Sequence, residues 1–308
     1  MKKLALLVTA VFLLGACATN RNILNEKMAK YPADKYLSKV AFGQTKKDAK
    51  DAAQAELAKL FEGLPEYKDS AIRRDNILSQ IKVVQWWKNK ENKRYYAIAA
   101  LERQPALDVL APYYAPIDGK LSNITAKIAS DNDKFVKVKY AVEIPALLAQ
   151  RDELDSEYRR ISFDGSAYNE EALYSFKSIY NKTFYDIKIN AVLTGSDDIT
   201  VKTYIIDALN DLGFGVGENM KDYDIELAMD TRIDKYASSS LDGLYWSTAT
   251  ATVALKDMAT GGVFTTFSET ERNGSSRGEE AKRRSLVAAG KKCAPVIKTK
   301  LIDYIQKK

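Results

Sequence analysis

Tyr36-Leu37-Ser38-Lys39-Val40-Ala41-Phe42-Gly43-Gln44-Thr45-Lys46-Lys47-Asp48 is the stretch on which the reading of the fold turns. Residues 36 to 42 are rich in aromatic and β-branched types and predict a strand, closed by Gly43 and Gln44. Thr45 with Asp48 three residues on has the spacing of a variant capping box, so a helix starts there. Ala49, Ala52, Ala53, Leu57, Leu60 and Phe61 then recur at helical spacing. A face built mostly of alanine lets a helix axis come close to its neighbour, which predicts a helix lying on a sheet. Gly63 and Pro65 mark the end of that helix.

Downstream, Ile81 to Trp87 and Arg94 to Leu101 read as strands joined by the polar turn Lys88-Asn89-Lys90-Glu91-Asn92-Lys93. Alternation along a strand sends one of Trp86 and Trp87 towards the core and the other outward, and the same holds for Tyr95 and Tyr96. The outward rings are either a binding patch or a cross-strand contact that stiffens the hairpin.

Tyr36-Leu37, Val40-x-Phe42-Gly43, Asp48-Ala49, Ala52-Ala53, Ala55, Leu57-Ala58, Trp86-Trp87 and Tyr95-Tyr96-Ala97 together resemble the LPP-twenty family of bacterial surface lipoproteins. The chain has Ala41 where that family carries a glycine. The resemblance implies a small α/β module in a surface-anchored lipoprotein, a family with no established enzymatic activity.

From Pro105 to about Phe163 the pattern is helical. Ile117, Leu121, Ile124 and Ile128 form one stripe; Phe135, Val138, Val142, Leu147 and Leu154 form a second, broken at Pro145. This predicts an α-hairpin between two sheet-containing modules. In the last part, Tyr185 to Leu193 alternates as a half-buried strand. Ser196-Asp197-Asp198 caps a helix carrying Val201, Tyr204, Ile205, Ala208, Leu209 and Leu212, and Gly213 stops it. Short strands are expected at Phe214 to Gly217 and Tyr223 to Asp230. A long loop follows from Tyr236 to Trp246, then a hairpin over Ala259-Thr260-Gly261-Gly262. Ser276-x-x-Glu279 reads as a capping box opening a final helix with Leu286, Ala289, Gly290, Cys293, Ile297, Leu301 and Ile305 on one side. That order, with Leu209-x-x-Leu212-Gly213-Phe214-x-Val216, resembles the small α/β domain of TolB N-terminal modules, curli-secretion lipoproteins and penicillin-binding-protein activators.

The other end of the chain carries an address. Lys2 and Lys3 precede an apolar run from Leu4 to Leu14 that is too short for a membrane span and suits the core of a signal peptide. Leu14-Gly15-Ala16-Cys17 follows it directly and resembles a lipobox. The resemblance implies cleavage before Cys17 and attachment of acyl chains to it. A plain cleaved leader with a cysteine at its boundary is the other reading. Ala18, not aspartate, follows Cys17, which by analogy with lipoprotein sorting implies the outer membrane, with the body in the periplasm or at the cell surface.

The 308 residues carry a formal net charge of +6, and removal of Lys2 and Lys3 leaves +4, with both signs scattered; no nucleic-acid partner is expected. Histidine is absent from the whole sequence. That removes histidine-dependent triads, histidine acid–base chemistry and imidazole metal sites, and neither cofactor nor metal is expected. With Cys17 acylated, Cys293 has no partner for an intrachain disulfide; its place on an apolar face predicts a buried thiol. Gly213-Phe214-Gly215-Val216-Gly217 ends a helix and enters a strand, the reverse of a phosphate loop. Asp197 with Asp198, and Asp222 with Asp224, sit where caps and strand starts favour acids.

The expected fold class is α+β: two small modules, each a sheet with packed helices, joined by a helical segment after a lipoprotein signal peptide. The expected boundaries are 1–16 signal peptide, 17–30 lipidated Cys17 and tether, 31–103 first module, 104–165 helical segment and 183–308 second module. The expected role is non-catalytic binding or assembly at the outer membrane, with an envelope protein or peptidoglycan as partner, homo-oligomers being compatible with it. Tyr236, Tyr245 and Trp246 are the leading candidates for partner binding because aromatic residues dominate interface hot spots, with Trp86 and Trp87 next. The alternative is a hydrolase of envelope polymers working by carboxylates alone, which needs two of them about 5 to 9.5 Å apart in a cleft.

Overall fold

The computed structural model describes residues 18–308 apart from 65, 67, 68, 194–197 and 239–242. Cys17, Pro65, Ser196 and Asp197 lie outside the described residues, as do the side chains of Asp198 and Tyr236. The chain forms two compact units, one from residues up to 120 with 146–171, the other from 121–145 with 172–308. The class is α+β, with a sheet and packed helices in each unit.

In the first unit, the stretch expected to be a polar tether is helical, α1 (Ala18–Met28). Strand β1 (Tyr36–Gly43) leads into α2 (Lys46–Ala58) through the cap read from the sequence. Asp48 N donates to Thr45 Oγ1 at 3.2 Å and Thr45 N to Asp48 Oδ2 at 3.0 Å. The corner is tight enough to require Gly43, since a Cβ there would lie 2.5 Å from the Asp48 Cβ and 2.6 Å from the Ala49 amide nitrogen. A short 3₁₀ turn (Lys59–Phe61) follows, then α3 (Ser70–Leu78), a helix the sequence pattern did not announce. Strands β2 (Lys82–Lys88) and β3 (Tyr95–Glu102) complete an antiparallel sheet of order β1-β3-β2. Ala49, Ala53 and Leu57 of α2 pack with Ala97, Ala99 and Leu101 of β3 in one core, so the alanine face does bring the helix onto the sheet.

Strand β3 runs without a loop into α4 (Arg103–Ser130), followed by α5 (Lys134–Ala141) and α6 (Ile144–Ile161). The span 104–165 is largely helical, with breaks at 131–133 and just before Ile144. Its residues up to 120 and from 146 belong to the first unit, and 121–145 to the second. Within the first unit the helices are tied by buried ions. Arg151 is fully buried, with Nε 2.8 Å from Asp118 Oδ1 and Nη1 3.0 Å from Asp155 Oδ2. Asp155 also accepts from the Tyr114 hydroxyl at 2.8 Å and the Tyr168 amide at 3.1 Å. Burial, then the bond to Asp155, pushes the Tyr114 hydroxyl pKa far up, so this phenol is a permanent donor. Glu157, equally buried, takes Arg73 at 3.2 Å and Arg74 at 3.4 Å.

In the second unit, α7 (Glu170–Tyr185) occupies a stretch the sequence pattern left blank and delays strand β4 to Lys188–Leu193, three residues later than expected. Helix α8 (Asp198–Asp211) ends at Gly213, whose φ of +95° suits glycine, and β5 (Gly215–Gly217) follows in parallel with β4. Strand β6 (Ile225–Ser238) is much longer than the expected short strand, because β7 (Tyr245–Asp257) pairs with it along its length. Tyr236 and Trp246 therefore lie in paired strands, not in a long loop. Strand β8 (Val263–Ser275) closes the sheet, whose order is β5-β4-β6-β7-β8. The capping box at Ser276 does not form: β8 stays paired to Tyr245 through Ser275, and α9 (Gly278–Lys307) starts after Arg277 with no side-chain cap.

Helix α9 buries Leu286, Ala289, Gly290, Cys293, Ile297, Leu301 and Ile305, the stripe read from the sequence. Gly290 is where α8 crosses closely: a Cβ would lie 2.9 Å from Tyr204 Cδ2 and 3.2 Å from Val201 Cα. The end of α9 is clamped by Asp257, only 1% exposed, which accepts from the Tyr304 hydroxyl, from Lys308 Nζ at 2.6 Å and from the Ala259 amide at 2.8 Å. Burial pushes the Asp257 carboxyl up, but Lys308, Tyr304 and the Ala259 amide outweigh it and hold the pKa at about 2. The clamp's stabilisation is then complete above the ordinary carboxylate range and is lost as pH falls from about 4 towards 2; at ~1.4 kcal/mol per pKa unit it amounts to about 2 kcal/mol. In urea unfolding, Asp257→Asn should lie below wild type by about that amount at pH 6 and converge with it near pH 2. An equal gap at both pH values would contradict this account of the clamp.

Candidate binding surfaces

Of the candidate acids whose side chains are described, Asp224 is committed to the fold. Asp224 takes both the Lys134 ammonium at 3.1 Å and the Lys188 amide at 2.8 Å, binding α5 to the start of β4 within the second unit. Asp222 is exposed beside it. Asp164, Asp257 and Glu280 all have lowered pKa values, whereas a general acid for glycoside cleavage needs a raised one. Cys293 is fully buried and burial pushes its thiol up to about 12, so it is not poised as a nucleophile. Gly213 to Gly217 serve as helix stop and edge strand. Among the described residues, no three acidic or thiol side chains come together as a metal site, and no helix is long and apolar enough to cross a membrane.

A hollow of about 610 Å³ in the first unit is lined by Asp34, Lys35, Glu102, Arg103, Tyr158 and Asp164, among others. The group at its centre is committed to the fold. Arg103 donates from Nε to the Ala33 carbonyl at 2.7 Å, and from Nη1 to the carbonyls of Ser162, at 3.0 Å, and Ile161. It splices β3, the chain before β1 and the end of α6, leaving little of its fork for a ligand.

Two surfaces carry aromatic side chains outward. On β7, Ser247 is buried and bonds Ser285 of α9 at 3.0 Å, so Tyr245, on the same side, lies at the helix-covered face with 36% exposure. Trp246 points the opposite way. The two were expected to act together; the pleat separates them. The Trp246 ring lies flat across Gly274, where a Cβ would come within 3.1 Å of it, and the Arg272 guanidinium sits 4.8 Å from the ring centre. Beyond it, the face of the sheet away from α8 and α9 is paved with hydroxyls. Thr250 bonds Thr270 and Thr252 bonds Ser268, each pair at 2.9 Å across strands β7 and β8. That face is legible as hydroxyls at every second position, Thr248, Thr250 and Thr252 on β7 and Thr266, Ser268 and Thr270 on β8, with Thr250 opposite Thr270 and Thr252 opposite Ser268.

On the β2–β3 hairpin of the first unit, a register shift between Val83 and Gln85 sets Trp86 opposite Ala97 and Trp87 opposite Tyr96. Trp86 thus shares the helix side of the sheet but stays 43% exposed at its rim, with the Lys46 ammonium 3.7 Å over its ring. Trp87 stacks on Tyr96, centroids 5.4 Å apart, and Tyr96 meets Phe42 at 5.8 Å, so three strands contribute one aromatic row. The row forms the cross-strand contact read from the sequence, and Trp86 stays open at the rim.

No family model matches the sequence, and no curated protein does. Among solved structures, the chain is similar to a minor lipoprotein of Acinetobacter baumannii at 12% identity and a TM-score of 0.29, over 35% of this chain and 87% of that one. It is similar to a lipoprotein of Neisseria meningitidis at 13% identity and a TM-score of 0.23, over 40% of this chain and 99% of that one. A secreted protein of Helicobacter pylori aligns over 84% of this chain and 97% of its own, at 14% identity and a TM-score of 0.30. Likenesses at these scores carry no functional inference.

Proposed function

We propose that this chain is a non-catalytic lipoprotein of the bacterial envelope, held at the outer membrane by acyl chains on Cys17 and acting through binding or assembly. The observation that carries the reading is Leu14-Gly15-Ala16-Cys17 directly after a short apolar core. The resemblance of Tyr36 to Ala58 to the LPP-twenty family points the same way. Support for a binding role comes from chemistry the fold uses internally: Asp224 holds the Lys134 ammonium and the Lys188 amide, and Cys293 is buried with a raised pKa. What remains turned outward is sheet surface, the hydroxyl-paved face around Trp246 in the second unit and the aromatic hairpin in the first. An envelope protein or peptidoglycan is the partner class, with the face around Trp246 as its place of contact.

The test is expression of Cys17→Ser beside wild type, with labelled palmitate and membrane fractionation. The variant should take up no label and leave the membrane fraction in a mild salt wash. Label retained in the variant would overturn the anchor. Crosslinking in intact cells, followed by mass spectrometry, then identifies the partner class.

A further inference from the structure

The end of the first unit's sheet that carries the β2–β3 turn differs from the rest of that unit in combining open aromatic rings with a run of cations. Phe42 and Trp86 are 45% and 43% exposed there, beside the half-buried Trp87, Tyr95 and Tyr96. Around them stand Lys27, Lys46, Lys47, Lys88, Lys90, Lys93 and Arg94, against the acids Asp48 and Glu91. The Asp48 carboxylate is already bonded in the cap of α2. Several cations rest on the rings: Lys46 over Trp86 at 3.7 Å, Arg94 over Phe42 at 4.9 Å, Lys88 over Tyr95 at 5.0 Å and Lys27 over Trp87 at 5.3 Å.

The turn presenting these cations is rigid. Asn89 is buried, donates its amide to the Arg94 carbonyl at 2.9 Å, and accepts from the amides of Glu91 and Asn92 at 2.8 and 3.3 Å. Asn92 in turn donates to the Tyr96 hydroxyl at 2.9 Å and accepts from the Arg94 amide at 3.0 Å. Lys93 takes the left-handed φ of +58° that lets the turn close.

We propose that this end of the first unit docks on the anionic phospholipid surface of a bilayer. Tryptophan and tyrosine settle at headgroup depth because their rings are apolar and their N–H or O–H stays wet. Lysine and arginine interleaved with them lay their stems along the rings and place their charge among lipid phosphates. The N-terminal end supports this occupant over a soluble polyanion: α1, described from Ala18, spans roughly 15 Å and brings Lys27 at its far end onto Trp87. This last support rests on the reading of Cys17; the charge and ring geometry does not.

The experiment uses the unlipidated mature chain, Cys17→Ser, so its outcome is independent of whether Cys17 is acylated in cells. Sedimentation with vesicles of phosphatidylcholine alone is compared with vesicles half phosphatidylglycerol, at low salt, with tryptophan emission recorded. Binding is expected to the anionic vesicles, with a blue shift, and at least ~10-fold weaker to the zwitterionic ones. The triple variant Lys90→Glu, Lys93→Glu, Arg94→Glu, with a melting curve like the parent, should lose at least ~10-fold of the anionic binding. Trp86→Ser should keep binding but lose part of the blue shift. Equal binding to both vesicle types, or a folded triple variant that binds like the parent, would overturn the proposal. So would soluble polyphosphate binding as tightly as the vesicles, because a polyanion offers charge without a depth for the rings.

Discussion

Arg151→Leu should destabilise the first unit by about 3–5 kcal/mol, the usual cost of removing one member of a buried ion pair. The guanidinium is fully buried and bonds Asp118, Asp155 and the Tyr168 carbonyl. Without it, Asp155 keeps the Tyr114 hydroxyl and the Tyr168 amide but loses its counter-charge in a site closed to water. The measurement is guanidinium unfolding of wild type, Arg151→Leu, Asp155→Leu and the double variant. The double should recover much of the single loss, since exchanging a whole buried pair for apolar groups is often near neutral. A single variant within 1 kcal/mol of wild type would show that the network contributes little.

The second large effect concerns autonomy. A fragment of residues 183–308, the boundary read from the sequence, should fail to melt cooperatively. It lacks α5, whose Phe135 packs edge-on against Tyr304 at 6.4 Å and receives the Lys308 ammonium at 3.7 Å. It also lacks most of α7, with buried Phe176, and the buried Leu121, Ile124, Ile128 and Val138. Each such side chain contributes about 1.5–3 kcal/mol on burial, so six together amount to about 9–18 kcal/mol, as large as the ~5–15 kcal/mol net stability of a whole domain. A fragment of residues 121–308 retains all of them and should melt in a single transition by circular dichroism. Cooperative melting of 183–308 at the wild-type temperature would refute the division of the chain into these units.

Both expectations concern interactions distant in sequence, and that is where reading the chain stops being enough. Much of what depends on neighbours three or four residues away was legible, with α3, α7 and the unformed box at Ser276 as the exceptions. The Thr45–Asp48 box, the alanine face of α2, Gly213 as a helix stop and the stripe from Leu286 to Ile305 rest on local hydrogen bonds and on the 3.6-residue period. The exposed candidates were legible as residue types, not as a site: alternation sends Tyr245 and Trp246 to opposite faces, and a register shift decides which side of the hairpin Trp86 takes.

By itself, then, the sequence determined the class, the order of most strands and helices, the buried thiol and the expected address at Cys17. The tertiary structure decided three things. It set the length of β6, because a strand ends where its partner stops pairing, and β7 holds it to Ser238. It suppressed the box at Ser276, because β8 remains in the sheet through Ser275. It divided the helical span between two units, because Arg151, Asp118, Tyr114 and Asp155 satisfy one another's charge and hydrogen bonds only when helices up to 41 residues apart come together. A buried ion has no periodicity to betray it. Its partners are fixed by the cost of leaving it alone in a dry interior, which no local stretch of chain expresses.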